Sequence, residues 1–298
     1  MSKVLVKAYG KINLSLEVLG KRSDGFHEIR SVMQSISLFD EVILEPADET
    51  SLECDLCHLA GPDNLAMRAA TVLQQAVGRA MGAHITLNKG IPEAAGLGGA
   101  SADAAAALVG LNHLWGLSFS HQRLEQLAAG IGSDVPFFLS GGTALVRGRG
   151  ELVDRLPDIA PTNWLVLLIP PHNLSTKTAT LYQMLRPGNW SSGERTKKLV
   201  EAVIHGAQVT EELMGNTFED VADSIFPKLA TYREAMLRAG ADRVHLSGAG
   251  PAIFSRFLSH TAAKATSDNL AGWGFHPLIA QTLTAGESKL QPEQYSGK

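Results

Sequence analysis

The strongest local signal in this sequence is Pro92-Glu93-Ala94-Ala95-Gly96-Leu97-Gly98-Gly99-Ala100-Ser101-Ala102-Asp103. Its glycines lead into an alanine-rich segment, which predicts a loop followed by a helix from about Ser101 to Leu114. Backbone N–H groups at such a helix start bind anions, and missing side chains let a phosphate approach. The stretch therefore predicts a triphosphate loop, although a tight strand-to-helix turn needs the same glycines. It is neither a Walker A motif nor the Gly-x-Gly-x-x-Gly motif of dinucleotide folds.

Upstream of this loop, alternating apolar residues predict an antiparallel sheet. Apolar side chains occupy the even positions from 4 to 18, interrupted once at Gly10, which indicates paired strands or one bent strand. Lys11 falls on the opposite face, so we expect it to project away from the core. A second alternating stretch, residues 36–44, carries Asp40 at an expected turn.

Helical periodicity and capping residues predict two more helices in the first half of the chain. Asn64 N-caps one of them, and the other runs from about Ser120 to a stop at Gly130. Beyond Gly150 a charged link leads into residues 164–169, a buried strand by its continuous apolarity.

The second half of the chain shows helical patterns, and it has strand patterns on both sides of a second glycine-rich segment, residues 247–251. These patterns indicate another α+β unit. We therefore predict an α+β chain with domains at 1–158 and 159–285. A polar tail, 286–298, is expected to be frayed.

Composition excludes several classes of function. Twenty-six basic against thirty acidic side chains give a net charge of −4 without long runs of either sign, which argues against nucleic-acid and membrane-surface partners. The longest apolar run, 164–171, is far short of the roughly 20 residues of a spanning helix. Lys3, Lys7 and Lys11 interrupt the apolar stretch that a secretion signal needs. We expect a cytoplasmic protein with a small-molecule partner, as a monomer or weak homodimer.

The two cysteines form a Cys54-x-x-Cys57-His58 pattern, which is also the pattern of covalent haem attachment. Haem attachment needs an export route and a second axial ligand, and a structural zinc site needs four ligands, of which three lie here. We favour two ordinary cysteines in a surface strand or loop.

Lys11 and Asp134 are two charged residues that, taken together with the loop, are candidate functional residues. Lys11 stands in the segment 8–14, and Asp134 precedes Val135-Pro136 in the segment 132–138. Each has an ordinary alternative: a lysine on a strand is usually solvated, and Asp134 suits the N-cap of a short helix that starts at Pro136.

Together with the loop, three further segments resemble the GHMP kinases, which include galactokinase, homoserine kinase and mevalonate kinase. These segments are 8–16, 132–138 and 246–254, and they occur in the family's order along nearly the whole chain. Residues 21–29 and 148–151 are similar to those of the members that phosphorylate a cytidine diphosphate derivative of methylerythritol.

The resemblance implies a ribosomal-S5-like N-terminal domain and a ferredoxin-like C-terminal domain, with ATP and substrate in the cleft between them. It implies that Asp134 is the general base and that Lys11 orients Asp134 and the substrate hydroxyl. Asn64 and Lys89 would lie near the adenine. The phosphates would be held by residues 96–101. The loop residues expected to bind ATP are Pro92, Ala94, Ala95, Gly96, Leu97, Gly98, Gly99, Ala100, Ser101 and Ala102. The cytidine diphosphate moiety would contact Asn13, Phe26, His27, Thr178 and Tyr182.

In this interpretation the base stacks between Phe26 and Tyr182. Mg²⁺ would bridge the phosphates, and Ser101 is a candidate ligand because the sequence has no dedicated carboxylate cluster. Two departures from the family pattern stand out: alanines replace glycines and a serine in the loop, and Phe26 stands where tyrosine is common. Neither removes a proposed catalytic group.

The predicted activity is phosphorylation of the 2-hydroxyl of the cytidylated methylerythritol by ATP, a step in non-mevalonate isoprenoid synthesis. Another GHMP kinase, such as homoserine kinase, is the alternative, and Phe26-His27 argues against it. A non-catalytic ATP-binding regulator on the same fold is a third possibility. Loss of Lys11 or Asp134 would mark such a regulator, and both are present.

Overall fold

The computed structural model describes residues 3–171 and 177–296, and its centre is an antiparallel hairpin of two long strands. These are β1 (Lys3–Lys21) and β2 (His27–Pro46). β1 is the single bent strand, because its pairing with β2 shifts register between residues 9 and 11, 13 and 15, and 18 and 20. A register shift changes which face the following side chains enter. Accordingly, Val6, Ile12 and Leu16 lie in three different apolar clusters.

The turn predicted at Asp40 is wrong. Asp40 lies inside β2 and is fully buried, where its Oδ1 accepts hydrogen bonds from the backbone N–H groups of Gly90 and Ile91, both at 2.7 Å. Its Oδ2 accepts from Lys89 Nζ at 2.5 Å. Because these donors replace water, a charged residue continues the strand instead of ending it.

The remaining elements of the first half pack helices against one face of the sheet. They are β3 (Ser51–Cys54), α1 (Leu65–Val77), β4 (Ala83–Asn88), α2 (Gly99–Leu114), α3 (His121–Ile131), α4 (Val135–Ser140), β5 (Thr143–Gly148) and β6 (Leu152–Arg155). Both predicted caps are confirmed: Asn64 accepts from Ala66 N, and Ser120 accepts from Arg123 N. α2 starts two residues earlier than predicted. Five of its six alanines, all except Ala100, are buried, which lets it pack closely on α1 and the central hairpin.

The second half is built around an antiparallel sheet in the order β11-β7-β10-β9. Its elements are β7 (Trp164–Leu168), α5 (Lys177–Met184), α6 (Glu194–Ile204), β8 (Gly215–Asn216), α7 (Glu219–Ile225), α8 (Leu229–Ala239), β9 (His245–Leu246), β10 (Ile253–Phe257), α9 (His260–Gly272), β11 (Leu278–Gln281) and β12 (Glu293–Tyr295). The predicted buried strand and the α+β class are confirmed. In the described residues, no helix is long and apolar enough to cross a membrane.

Two short strands from the second half return to the first sheet. β8 pairs in parallel with β1 at Ser15 and Leu16, and β12 pairs antiparallel with Lys3–Leu5. The expected frayed tail is therefore wrong for Glu293–Tyr295, because the open edge of β1 offers this segment backbone hydrogen bonds. The domain division at 158 and 159 stays a prediction.

Candidate active site

A cleft of about 1290 Å³ is lined by residues of both halves of the chain. It brings together most of the predicted site residues: Lys11, Asn13, Phe26, His27, Asn64, Lys89, Pro92, Ala94, Ala95, Gly96, Gly98, Gly99, Ala100, Ser101, Asp134, Thr178 and Tyr182. Leu97 and Ala102 do not line it. Both are buried in apolar clusters, so they support the loop from behind.

Lys11 is not the exposed lysine that the strand pattern predicts, since only 3% of its surface is accessible. Its Nζ donates to Asn13 Oδ1 at 2.7 Å and to the Gly96 carbonyl at 3.2 Å. It also lies 3.7 Å from Asp134 Oδ2. Burial lowers the pKa of Lys11, and Asp134 opposes this shift. The register shift just before Lys11 turns this side chain inward, to the point where strand, loop and carboxylate meet.

Asp134 faces Lys11 instead of capping a helix. It occupies the N-cap position of α4, but its side chain makes no capping hydrogen bond, which removes the ordinary alternative for this residue. Its side chain is 32% exposed in the cleft. Burial first, and then the charge of Asp134, raise the pKa of Tyr182. Asp134 therefore acts electrostatically on both Lys11 and Tyr182.

Protein contacts require two glycines of the loop, as the tight-turn alternative predicts, and phosphate binding by the loop stays a prediction. Gly98 has φ +79°, and a Cβ there would lie 2.5 Å from Phe138 Cζ. Gly96 has φ +90°, and a Cβ there would lie 2.3 Å from the Ser247 carbonyl oxygen. Larger residues are thus excluded by the fold itself, and α2 begins at Gly99 with its backbone N–H groups at the cleft.

The second glycine-rich segment, residues 247–251, supports the first. Ser247 Oγ donates to the Gly96 carbonyl at 3.1 Å, and the Ala252 N–H donates to the Ala95 carbonyl at 2.9 Å. The second segment therefore holds the first loop at Ala95 and Gly96.

Lys89, predicted near the adenine, lines the cleft, but its ammonium group is already paired. Lys89 Nζ contacts the carboxylates of Asp40 and Asp103, and all three side chains are buried. Burial alone would lower the pKa of Lys89, yet Asp103 and Asp40 raise it. Burial raises the pKa of Asp103, and Lys89 offsets this only in part. Sequence reasoning missed the role of both aspartates: Asp103 is a lone charge among alanines, whereas Asp40 is followed by Glu41 and was expected in a turn.

Aromatic rings gather at the other end of the cleft. His27 stacks on Tyr182 with 4.7 Å between ring centroids, and the edge of Phe218 meets Tyr182 at 4.9 Å. Phe26 is half exposed, with the Arg149 guanidinium 5.0 Å from its ring centroid. Burial, and secondarily Lys21, lower the pKa of His27. A base stacked between Phe26 and Tyr182 stays a prediction, because His27 covers one face of Tyr182 here.

Comparison with known proteins matches this geometry to one family. The model of the GHMP kinase N-terminal domain matches residues 64–142, and the C-terminal model matches residues 199–274. The 4-diphosphocytidyl-2-C-methyl-D-erythritol kinase of Dehalococcoides mccartyi is 41% identical over 277 residues, 93% of this chain and 97% of the relative. The chain belongs to the GHMP kinases.

Solved GHMP kinases share the fold. A crystal structure of 4-(cytidine 5'-diphospho)-2C-methyl-D-erythritol kinase has a TM-score of 0.78 and 32% identity, covering 93% of this chain and 98% of its own. Homoserine kinase from Cytophaga hutchinsonii has a TM-score of 0.75 at 17% identity, covering 98% of both chains. Because its identity is only 17%, this second similarity shows a shared fold and no more. The resemblance inferred from the sequence and the two-domain α+β GHMP kinase fold are both confirmed.

Proposed function

We propose that this GHMP kinase transfers the terminal phosphoryl group of ATP to the 2-hydroxyl of 4-diphosphocytidyl-2-C-methyl-D-erythritol. The observation that carries the proposal is the Lys11–Asp134 pair at 3.7 Å, placed between the phosphate loop and the aromatic end of the cleft. The 4-diphosphocytidyl-2-C-methyl-D-erythritol kinase of Pelotomaculum thermopropionicum is 45% identical over 251 residues, 83% of this chain and 86% of its own. It supports the choice of acceptor over homoserine or mevalonate.

Asp134 would take the proton of the 2-hydroxyl as that oxygen bonds to the terminal phosphorus. The bond from this phosphorus to the bridging oxygen then breaks, and ADP leaves. Phosphoryl transfer depends mainly on in-line positioning and on neutralising charge on the transferred group. Lys11 suits both tasks, because Asn13 and Gly96 fix its ammonium beside Asp134.

The phosphates of ATP would lie on the backbone N–H groups at the start of α2, where a helix N-terminus favours anions. Mg²⁺ accompanies ATP in such reactions and neutralises phosphate charge when bound. Oxygen donors suited to this ion are present, since Ser101 and Asp103 both line this end of the cleft.

The cytidine diphosphate moiety would lie at the aromatic end, beside Phe26, His27 and Tyr182. Asn13 and Thr178 line the same cleft and are proposed to contact this moiety. Asn64 and the backbone around Lys89 are proposed to border the adenine at the opposite end. The proposed location is the cytoplasm, and the proposed partners are small molecules.

One assay tests the function directly. Purified enzyme with ATP and Mg²⁺ is given the cytidylated methylerythritol, homoserine or mevalonate, and the products are followed by ³¹P NMR. We expect a new phosphomonoester only with the cytidylated acceptor. Phosphorylation of homoserine or mevalonate in its place would contradict the proposal, and absence of ATP turnover with all three would favour a non-catalytic regulator.

A further inference from the structure

A buried group of three charges lies beneath the start of α2. Lys89 Nζ contacts both Asp40 Oδ2 and Asp103 Oδ2. Two carboxylates share one ammonium group, so one negative charge remains in excess when both are ionised. Excess charge away from water is costly unless a further positive group compensates it.

The excess falls on Asp103, because Asp40 is fully bonded. Asp40 Oδ1 accepts from two backbone N–H groups, those of Gly90 and Ile91. In contrast, Asp103 Oδ1 is the only buried side-chain nitrogen or oxygen in residues 3–171 and 177–296 that lacks a hydrogen-bond partner. Folded proteins leave few such atoms, and each calls for an explanation.

Asp103 is also in the right place to meet a ligand of the phosphate loop. It lines the cleft and follows Ser101 by two residues, in the part of α2 that opens on the proposed triphosphate site. Lys89 holds its other oxygen, so the orientation of the carboxylate is fixed before any ligand arrives.

A divalent cation would meet both needs, because it adds positive charge and coordinates oxygen. Mg²⁺ bound with a nucleotide keeps several waters and typically takes one or two carboxylates besides the phosphates. One unpaired carboxylate oxygen is therefore sufficient as a protein ligand. We propose that Asp103 Oδ1 is the protein ligand, directly or through one water, of the Mg²⁺ that enters with ATP. The proposal rests on the ATP site proposed above.

Ser101 is the rival ligand. Side chains two positions apart on a helix do not face each other, so Ser101 and Asp103 do not readily bind one ion together. The buried, unpaired carboxylate oxygen favours Asp103, since carboxylate oxygens suit Mg²⁺.

Nucleotide binding measured with and without metal tests this assignment independently of turnover. Calorimetric titration with ADP is run in Mg²⁺ and in EDTA on the wild-type enzyme and on Asp103→Asn, Asp40→Asn and Ser101→Ala. We expect Mg²⁺ to increase the affinity of the wild-type enzyme for ADP. In Asp103→Asn this increase should be smaller by a factor of at least about ten, the low end of what metal-site substitutions cost. Its affinity for ADP in EDTA should not fall. Asp40→Asn also removes one of the two negative charges beside Lys89, but both oxygens of Asp40 are already hydrogen-bonded. This variant should therefore keep the effect of Mg²⁺ on ADP affinity.

The outcomes separate the interpretations. An unchanged Mg²⁺ effect in Asp103→Asn, equal losses in Asp103→Asn and Asp40→Asn, or a loss confined to Ser101→Ala would overturn the assignment. Failure of the wild-type enzyme to bind ADP in either buffer would overturn the ATP site as well. If Asp103→Asn does not fold, Asp103→Glu keeps the charge but moves the oxygens. The electron paramagnetic resonance spectrum of Mn²⁺–ADP should then differ between Asp103→Glu and wild type, and identical spectra would reject the proposal.

Discussion

Asp134→Asn tests the catalytic role of the carboxylate that faces Lys11 in the cleft. The Asp134 carboxylate is 32% exposed, lies 3.7 Å from Lys11 Nζ and makes no capping bond to α4. Lys11 is buried, so removing the carboxylate leaves its ammonium with Asn13 Oδ1 and the Gly96 carbonyl as partners, and we expect a loss of stability above the roughly 1 kcal/mol of an exposed pair. Loss of a general base, in contrast, typically lowers the rate by about 10²–10⁴. We therefore expect kcat to fall by that factor in a protein that folds normally.

The assay combines three measurements on Asp134→Asn: kcat with the cytidylated acceptor, affinity for ADP, and thermal unfolding. Affinity for ADP should stay near wild type, because the loop that would hold the phosphates is built from other residues. Asp154→Asn is the matched control, since it also breaks a carboxylate ion pair, with Arg147, but lies outside the cleft. Near-normal kcat in a folded Asp134→Asn enzyme, or an equal loss in Asp154→Asn, would refute the assigned role.

Three further predictions concern the loop and the acceptor end. Phe26→Ala should raise KM for the cytidylated acceptor about 5- to 150-fold and leave KM for ATP unchanged, because base–aromatic stacking contributes roughly 1–3 kcal/mol; an equal rise for both substrates would contradict stacking. Gly98→Ala should lower the free energy of unfolding by about 1–3 kcal/mol through overpacking against Phe138. Gly78→Ala is the control, because Gly78 has φ +73° and nothing within 4 Å of the added Cβ, so its thermal unfolding reports backbone strain alone. An equal loss of stability in Gly78→Ala and Gly98→Ala would contradict overpacking. Ala100→Leu adds bulk at an exposed cleft position, so ADP titration should show weaker binding without a lower melting temperature, and unchanged affinity would place the phosphates elsewhere.

Local signals predicted local structure well. Asn64 and Ser120 were identified as caps because the capping oxygen and the N–H that it accepts from lie within three residues of each other. Alternation likewise predicted β1, but it placed Lys11 on an exposed face. The register shifts that turn Lys11 inward depend on the partner strand β2, so the sequence of β1 alone does not reveal them.

The sequence pattern did not predict contacts between residues far apart in the chain. Asp40, Lys89 and Asp103 come from a strand, a loop and a helix, and no spacing rule connects residues 49 and 14 positions apart. The reason for the loop glycines also stayed open, since a φ near +80° with a contact to Phe138 selects the same small residues as a phosphate site. The sequence pattern alone could not choose between these two causes.

The carbonyl of Gly96 explains why both halves of the chain are needed for one reaction. It accepts hydrogen bonds from Lys11 Nζ on β1 and from Ser247 Oγ in the second glycine segment. A Cβ at Gly248 would lie 3.1 Å from Lys11 Nζ, so this segment also packs over the lysine itself. Lys11 is thus positioned by the loop at Gly96 on one side and by the second half on the other. A displacement of either half would move the ammonium relative to Asp134, and misplacement by about 1 Å at such a site costs on the order of 10²-fold in rate.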